Sequence, residues 1–139
     1  MTTAASSSTS TGRGIALSVL VATVAAGAVN SAIALIARAL GADPNVIIGL
    51  QPAAYLVLTL IGTVLGAVGW VIVRNRASDP AAVLRVLVPA AVVVSLIPDL
   101  LLGLQAGWGV LWLVLMHPVV ATAAVLAYRR FLPLPGARA

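Results

Sequence analysis

Residues 108–130 read WGVLWLVLMHPVVATAAVLAYRR. Between the tryptophans at one end and the paired arginines at the other there is no carboxylate and one histidine, His117. At ~1.5 Å per residue an α-helix over this stretch is about 34 Å long, enough to cross a hydrocarbon core of roughly 30 Å. Three further apolar runs share this character, about Ile15 to Ala37, Val46 to Val73 and Val86 to Leu104. None alternates over about ten residues as a barrel strand would.

Composition agrees. Hydrophobic residues make up 62% of the 139 and charged residues 8%, with a mean hydropathy of +1.16, whereas a soluble domain carries roughly 25% charge. The fold class expected is an all-α membrane protein, an antiparallel bundle of four transmembrane helices at about 15–40, 46–73, 81–104 and 107–130. Residues 1–13, rich in Ser, Thr and Ala, are expected to be a disordered tail, 14–130 the transmembrane domain and 131–139 a Pro-rich C-terminal tail. Gly41 to Asn45 and Arg74 to Pro80 read as turns, with Ser78 or Asp79 placed to begin the helix after Pro80. Ala26 and Ala28 resemble a signal-cleavage site, but the apolar run continues to Ala37, so the first span is read as retained.

All eight cations are arginines. Arg13, Arg74, Arg76, Arg85, Arg129, Arg130 and Arg138 fall on one side of the spans and Arg38 on the other. The positive-inside rule then puts both termini in the cytoplasm of a plasma-membrane protein. The net charge of +5 orients the chain and meets anionic lipid headgroups. With no soluble basic surface, nucleic-acid binding is not expected; the partners expected are the lipid bilayer, a second copy or another membrane protein.

Four polar residues interrupt the spans: Asn30, Gln51, Asp99 and His117, the last three each next to a proline. Counting helix rise places Gln51 and Asp99 about 8 Å, and Asn30 and His117 about 13 Å, below the outer ends of their helices. A polar pocket opening outward is one way to account for that clustering. Helical phase puts Thr23, Gly27, Asn30, Ser31 and Ala34 on one stripe, and Gln51, Tyr55, Thr59, Gly62, Gly66 and Gly69 on another. Gly27, Gly62 and Gly66 are therefore read as helix-packing positions where another backbone approaches closely.

Aspartate at mid-span costs roughly 2.5–3.5 kcal/mol even on the mild insertion scale, so Asp99 needs a partner. Its span and the next are joined by a short turn, which makes them antiparallel neighbours. An Asp99/His117 pair sharing a proton is expected, with Asn30 as a third hydrogen-bond partner. Pro98 and Pro118 free the carbonyls of Val94 and Val114 beside that pair.

The order of an Asn in the first span, Pro-Asp in the third, and MHPVVATAAVLAYRR over 116–130 resembles a family of uncharacterised four-helix membrane proteins of actinobacteria. The resemblance covers about residues 14–130 and implies the topology without lending an activity.

Several functions are disfavoured. Four-helix multidrug transporters depend on a membrane-embedded glutamate, and this chain has none. One histidine cannot make a bis-histidine haem. Asp99 and His117 are too few for a structural zinc, and the absence of cysteine removes thiolate ligands. Ser95, Asp99 and His117 lack a nucleophile turn. No catalytic residue, metal or cofactor is expected, and the chain is not read as an enzyme. Two classes remain: a small structural or accessory membrane subunit, or a small transporter or sensor whose pocket binds a small solute, lipid headgroup or proton.

Overall fold

The computed structural model describes residues 4–135, with side chains described at 11–101 and 107–135; the C-terminal tail expected beyond 135 lies outside the described residues. Five α-helices are present there: α1 (Ala4–Ala39), α2 (Pro52–Arg76), α3 (Pro80–Ser95), α4 (Ile97–Ala106) and α5 (Val110–Phe131). Four helices are long and apolar enough to cross a membrane: Thr11–Ala39, Pro52–Arg76, Pro80–Leu101 and Gly107–Phe131. The four-span bundle expected from the sequence is therefore present, with revised ends.

The first revision is at the N-terminus. Helix α1 runs from Ala4, so 4–13 are helical where a disordered tail was expected. Ser, Thr and Ala extend an existing helix at small cost, because propagation lacks the penalty of nucleation. The other end of α1 stops sharply. Gly41 has φ +92°, its N–H bonds the Arg38 carbonyl at 3.0 Å, and Ala42 N–H bonds the Ala37 carbonyl at 2.9 Å. This double closure is a Schellman motif, and its left-handed residue favours glycine.

The second span begins later than expected. Residues 46–51 are not α-helical: a 3₁₀ turn covers Ile48–Leu50, and Gln51 is extended (φ −77°, ψ 138°) before Pro52 at the first position of α2. A residue preceding proline is pushed out of the helical region, and Pro fits where no helical N–H is required. Gln51 is thus a cap position in the outer loop. The α3 start matches its signals, with Asp79 accepting from Ala82 N at 2.9 Å and Pro80 opening the helix.

The third span is broken. Helix α3 closes at Leu96, whose N–H reaches the Val92 and Val93 carbonyls at 3.2 Å each, and α4 resumes at Ile97. Pro98 has no N–H to return to Val94, and its ring crowds that carbonyl. Pro89 and Pro118 sit inside continuous helices.

Helix α1 packs most extensively on α5 and next on α2, while α3 and α4 lie along the flank of α2 and α5. Two apolar clusters fill the bundle. Ala22, Ala67, Trp70, Ala124, Ala127 and Tyr128 gather toward the arginine-rich end. Ala34, Ala37, Ile47, Leu50, Leu113 and Met116 gather at the other. There the outer loop folds inward, with Leu50 fully buried. Trp70 and Tyr128 rings lie 5.5 Å apart, and the Trp70 indole donates to the Leu132 carbonyl at 3.0 Å. Buried residues include Ser18, Asn30, Thr59 and Thr63, while Leu20, Leu35 and Leu65 are exposed. Small and polar inside with large aliphatic outside is the arrangement lipid favours.

Candidate functional site

The break at Leu96 places Asp99 in the first turn of α4, and the tight turn at Gly107 (φ +60°) brings that helix back against α5. Asp99 and His117 meet there: Nε2 lies 3.3 Å from Oδ2, with the His side chain 26% and the Asp side chain 15% exposed. The orientation makes this an ion-pair contact rather than a hydrogen bond, so Oδ2 is buried without a hydrogen-bond donor. His117 Nδ1 is 2.9 Å from the Leu113 carbonyl one turn back. The Asp99–His117 contact is the one ion pair among the described residues.

Asn30 bonds elsewhere. Its Nδ2 donates to Thr59 Oγ1 at 3.1 Å in a buried contact, and its Oδ1 is buried without a partner. Helical phase accounts for this: the α1 and α2 polar stripes face each other and consume one another's hydrogen bonds. Thr23 and Thr63 hydroxyls are 2.7 Å apart, and Tyr55 Oη donates to Ser31 Oγ at 3.1 Å. Tyr55 and Thr59 stand on the α2 stripe read from the sequence, Thr63 lies outside it, and the helical phase names none of the three as a partner. The missed signal was that two polar stripes of equal pitch stood on consecutive spans.

Gln51 is also separate, its Nε2 donating to the Pro44 carbonyl at 3.1 Å within the outer loop. Its lone proline neighbour was the clue, since Gln-Pro before an apolar run suits a helix start. Arg38 adds a residue that sequence reasoning used only for topology. Its Nη2 donates to the Leu50 carbonyl at 2.8 Å, and Nε is buried without a partner. The four expected pocket residues thus divide into an α4–α5 ion pair, an α1–α2 seam and an outer-loop tether.

The glycines are used within the chain. A Cβ on Gly66 would lie 2.8 Å from the Tyr128 hydroxyl, which bonds the Thr63 carbonyl. On Gly27 it would meet Leu56 Cδ2 at 3.1 Å, and on Gly62 only Val120 at 3.8 Å. The small-residue stripe therefore seats α5 and α1 on α2. Toward the arginine-rich end, Ile15, Val19, Leu20, Leu60 and Val64 line an apolar groove of about 420 Å³ between α1 and α2. Among the described residues no group of three or more His, Asp, Glu or Cys is placed to hold a metal ion.

An apolar exterior, an internal polar seam and four helices of membrane-crossing length define a helical membrane protein. More particularly, the chain belongs to a family of unknown function, DUF6069, which matches residues 10–133. No curated protein and no solved structure matches it.

Proposed function

We propose that this protein is a small, non-enzymatic accessory subunit of a plasma-membrane assembly, with both termini cytoplasmic and a second copy or another membrane protein as its partner. One observation carries the reading: the helix break falls in the least covered span. In the third span 6% of the most apolar window is buried, against 22% to 28% in the other three, and Val94, whose carbonyl has no Pro98 N–H to accept from, is 62% exposed. Irregular backbone at membrane depth persists only where protein covers it or water reaches it. A neighbouring protein chain supplies the first. The arginine distribution supports the orientation, and the Lys-free, Ala/Val/Arg-rich composition supports a high-GC, actinobacterial source.

The chain has no cysteine, so one introduced thiol reports one position. In native membranes Val94→Cys is expected to cross-link to a second protein or copy, while Leu35→Cys, 66% exposed on α1, is not. Detergent-free extraction should give a mass above the 14.0 kDa protomer. A lone protomer, with both thiols equally free, refutes the subunit reading.

Water reaching the break is the second possibility, and the Asp99–His117 contact favours it. In that reading the protein is a small transporter or sensor centred on this pair, since ionisable groups within a membrane are functional by default. Unchanged proton-coupled flux and phenotype in Asp99→Asn and His117→Ala, with only lowered thermal stability, would rule it out.

A further inference from the structure

We propose that Asp99 and His117 form a single proton-binding site that latches the half-helix α4 to α5, the proton arriving from the outer aqueous phase. The proposal rests on the second reading above and names its ligand. Ring orientation decides which nitrogen can exchange. Nδ1 of His117 lies 2.9 Å from the Leu113 carbonyl, and a carbonyl only accepts, so Nδ1 holds a hydrogen in both the neutral and the cationic ring. Nε2, facing Asp99, is therefore bare whenever the ring is neutral.

At 3.3 Å two arrangements attract: imidazolium with carboxylate, or neutral imidazole with carboxylic acid. Each places one exchangeable proton on the pair, which takes it up and releases it as a unit. Removing that proton leaves the Nε2 lone pair against a carboxylate whose Oδ2 is buried without a hydrogen bond. A lone carboxylate at membrane depth is costly, so Asp99 moves toward water and α4 leaves α5.

A hinge for that motion is present. Helix α4 is 10 residues long, begins just after the break at Leu96, and ends at Ala106, followed by Gly107 with φ +60°. Among the described residues no other charged side chain forms an ion pair with either member, and Asp43 is tied into its own loop by accepting from Asn45 N–H at 2.8 Å. On the helices packed around α5, the Tyr55 hydroxyl is bonded to Ser31, that of Tyr128 to the Thr63 carbonyl and Arg38 to the Leu50 carbonyl. Arg85 on α3 is 14 residues from Asp99, about 21 Å along the helix. Arg13, Arg74, Arg76, Arg129 and Arg130 lie further off, toward the opposite end.

His117 is the only histidine, so nitrogen-15 NMR of the histidine-labelled full chain in liposomes reads this imidazole alone. Across the titration Nδ1 is expected to stay protonated while Nε2 changes. Spin labels at Leu101→Cys on α4 and Leu126→Cys on α5, both exposed positions, should separate in the same step. Asp99→Asn should abolish that response. Titration at Nδ1, a label separation that persists in Asp99→Asn, or a label distance constant through the wild-type titration each overturns the latch. If the latch holds while vesicles show no proton-dependent flux in either protein, the transport reading falls and the latch stands.

Discussion

Substituting Gly66 and Tyr128 separately and together tests the tightest contact between α2 and α5. A Cβ at Gly66 would lie 2.8 Å from the Tyr128 hydroxyl and 3.4 and 3.5 Å from ring carbons Cε2 and Cζ. Tyr128 is 2% exposed, packs at a tilt against Trp70 and is anchored to the Thr63 carbonyl, so the ring has little room to withdraw. Gly66→Ala should therefore destabilise by about 1–3 kcal/mol, the usual cost of overpacking. Tyr128→Phe deletes one interhelical hydrogen bond, worth about 0.6 kcal/mol on average in a membrane. In the double variant the hydroxyl that met the new methyl is gone, and the remaining neighbours are at or beyond 3.4 Å. The two changes should then cost about 1 kcal/mol less together than their sum, where independent sites add within about 0.3–0.5 kcal/mol. Reversible unfolding in mixed micelles, followed by circular dichroism, measures all four corners of the cycle. Additive costs would show that Gly66 is not where α5 seats on α2.

The neighbouring glycines provide a contrast: Gly62→Ala meets only Val120 at 3.8 Å and Gly69→Ala meets nothing within 4 Å, so the same unfolding assay should find both neutral or stabilising, by up to about 1 kcal/mol. Gly41→Ala forces a Cβ onto φ +92° and should cost about 1–2 kcal/mol, with Gly41→Asn losing less, again read as unfolding free energy. Asn30→Leu leaves the Thr59 hydroxyl buried alone and should destabilise, whereas Asn30→Leu with Thr59→Val removes both partners of the 3.1 Å bond and should restore near-native thermal stability.

The four spans were legible because length and hydropathy leave a chain such as 108–130 few alternatives. The α1–α2 seam was half legible: phase gave both stripes, but periodicity cannot say which neighbour a stripe meets. Polarity and depth alone therefore direct Asn30 to Asp99 and His117, whereas Thr59 on the adjacent span stands in register with it. The Asp99–His117 contact followed from the short turn between their spans, which fixes both adjacency and depth. Prolines were ambiguous for a physical reason. Pro52 opens a helix, Pro98 accompanies a break, and Pro89 and Pro118 sit within unbroken helices, because the outcome depends on how neighbouring groups re-satisfy the freed carbonyl. The stretch 4–13 misled because its composition suits both a solvated tail and the free end of a helix already nucleated further along.

The extensive contact of α1 with α5 joins the first span to the last. A Cβ on Gly14 would stand 2.8 Å from the Phe131 carbonyl, so the two ends of the bundle touch. A nascent chain emerges N-terminus first, and the α1–α2 hydrogen bonds form once the second span has entered the bilayer. The most extensive interface waits for α5. Throughout synthesis the small-residue face of α1 that α5 will cover is open to lipid or to an insertion factor. The order of synthesis thus makes the Asn30–Thr59 seam available before the Gly14–Phe131 contact, and truncation before α5 should leave a stitched but unclosed hairpin.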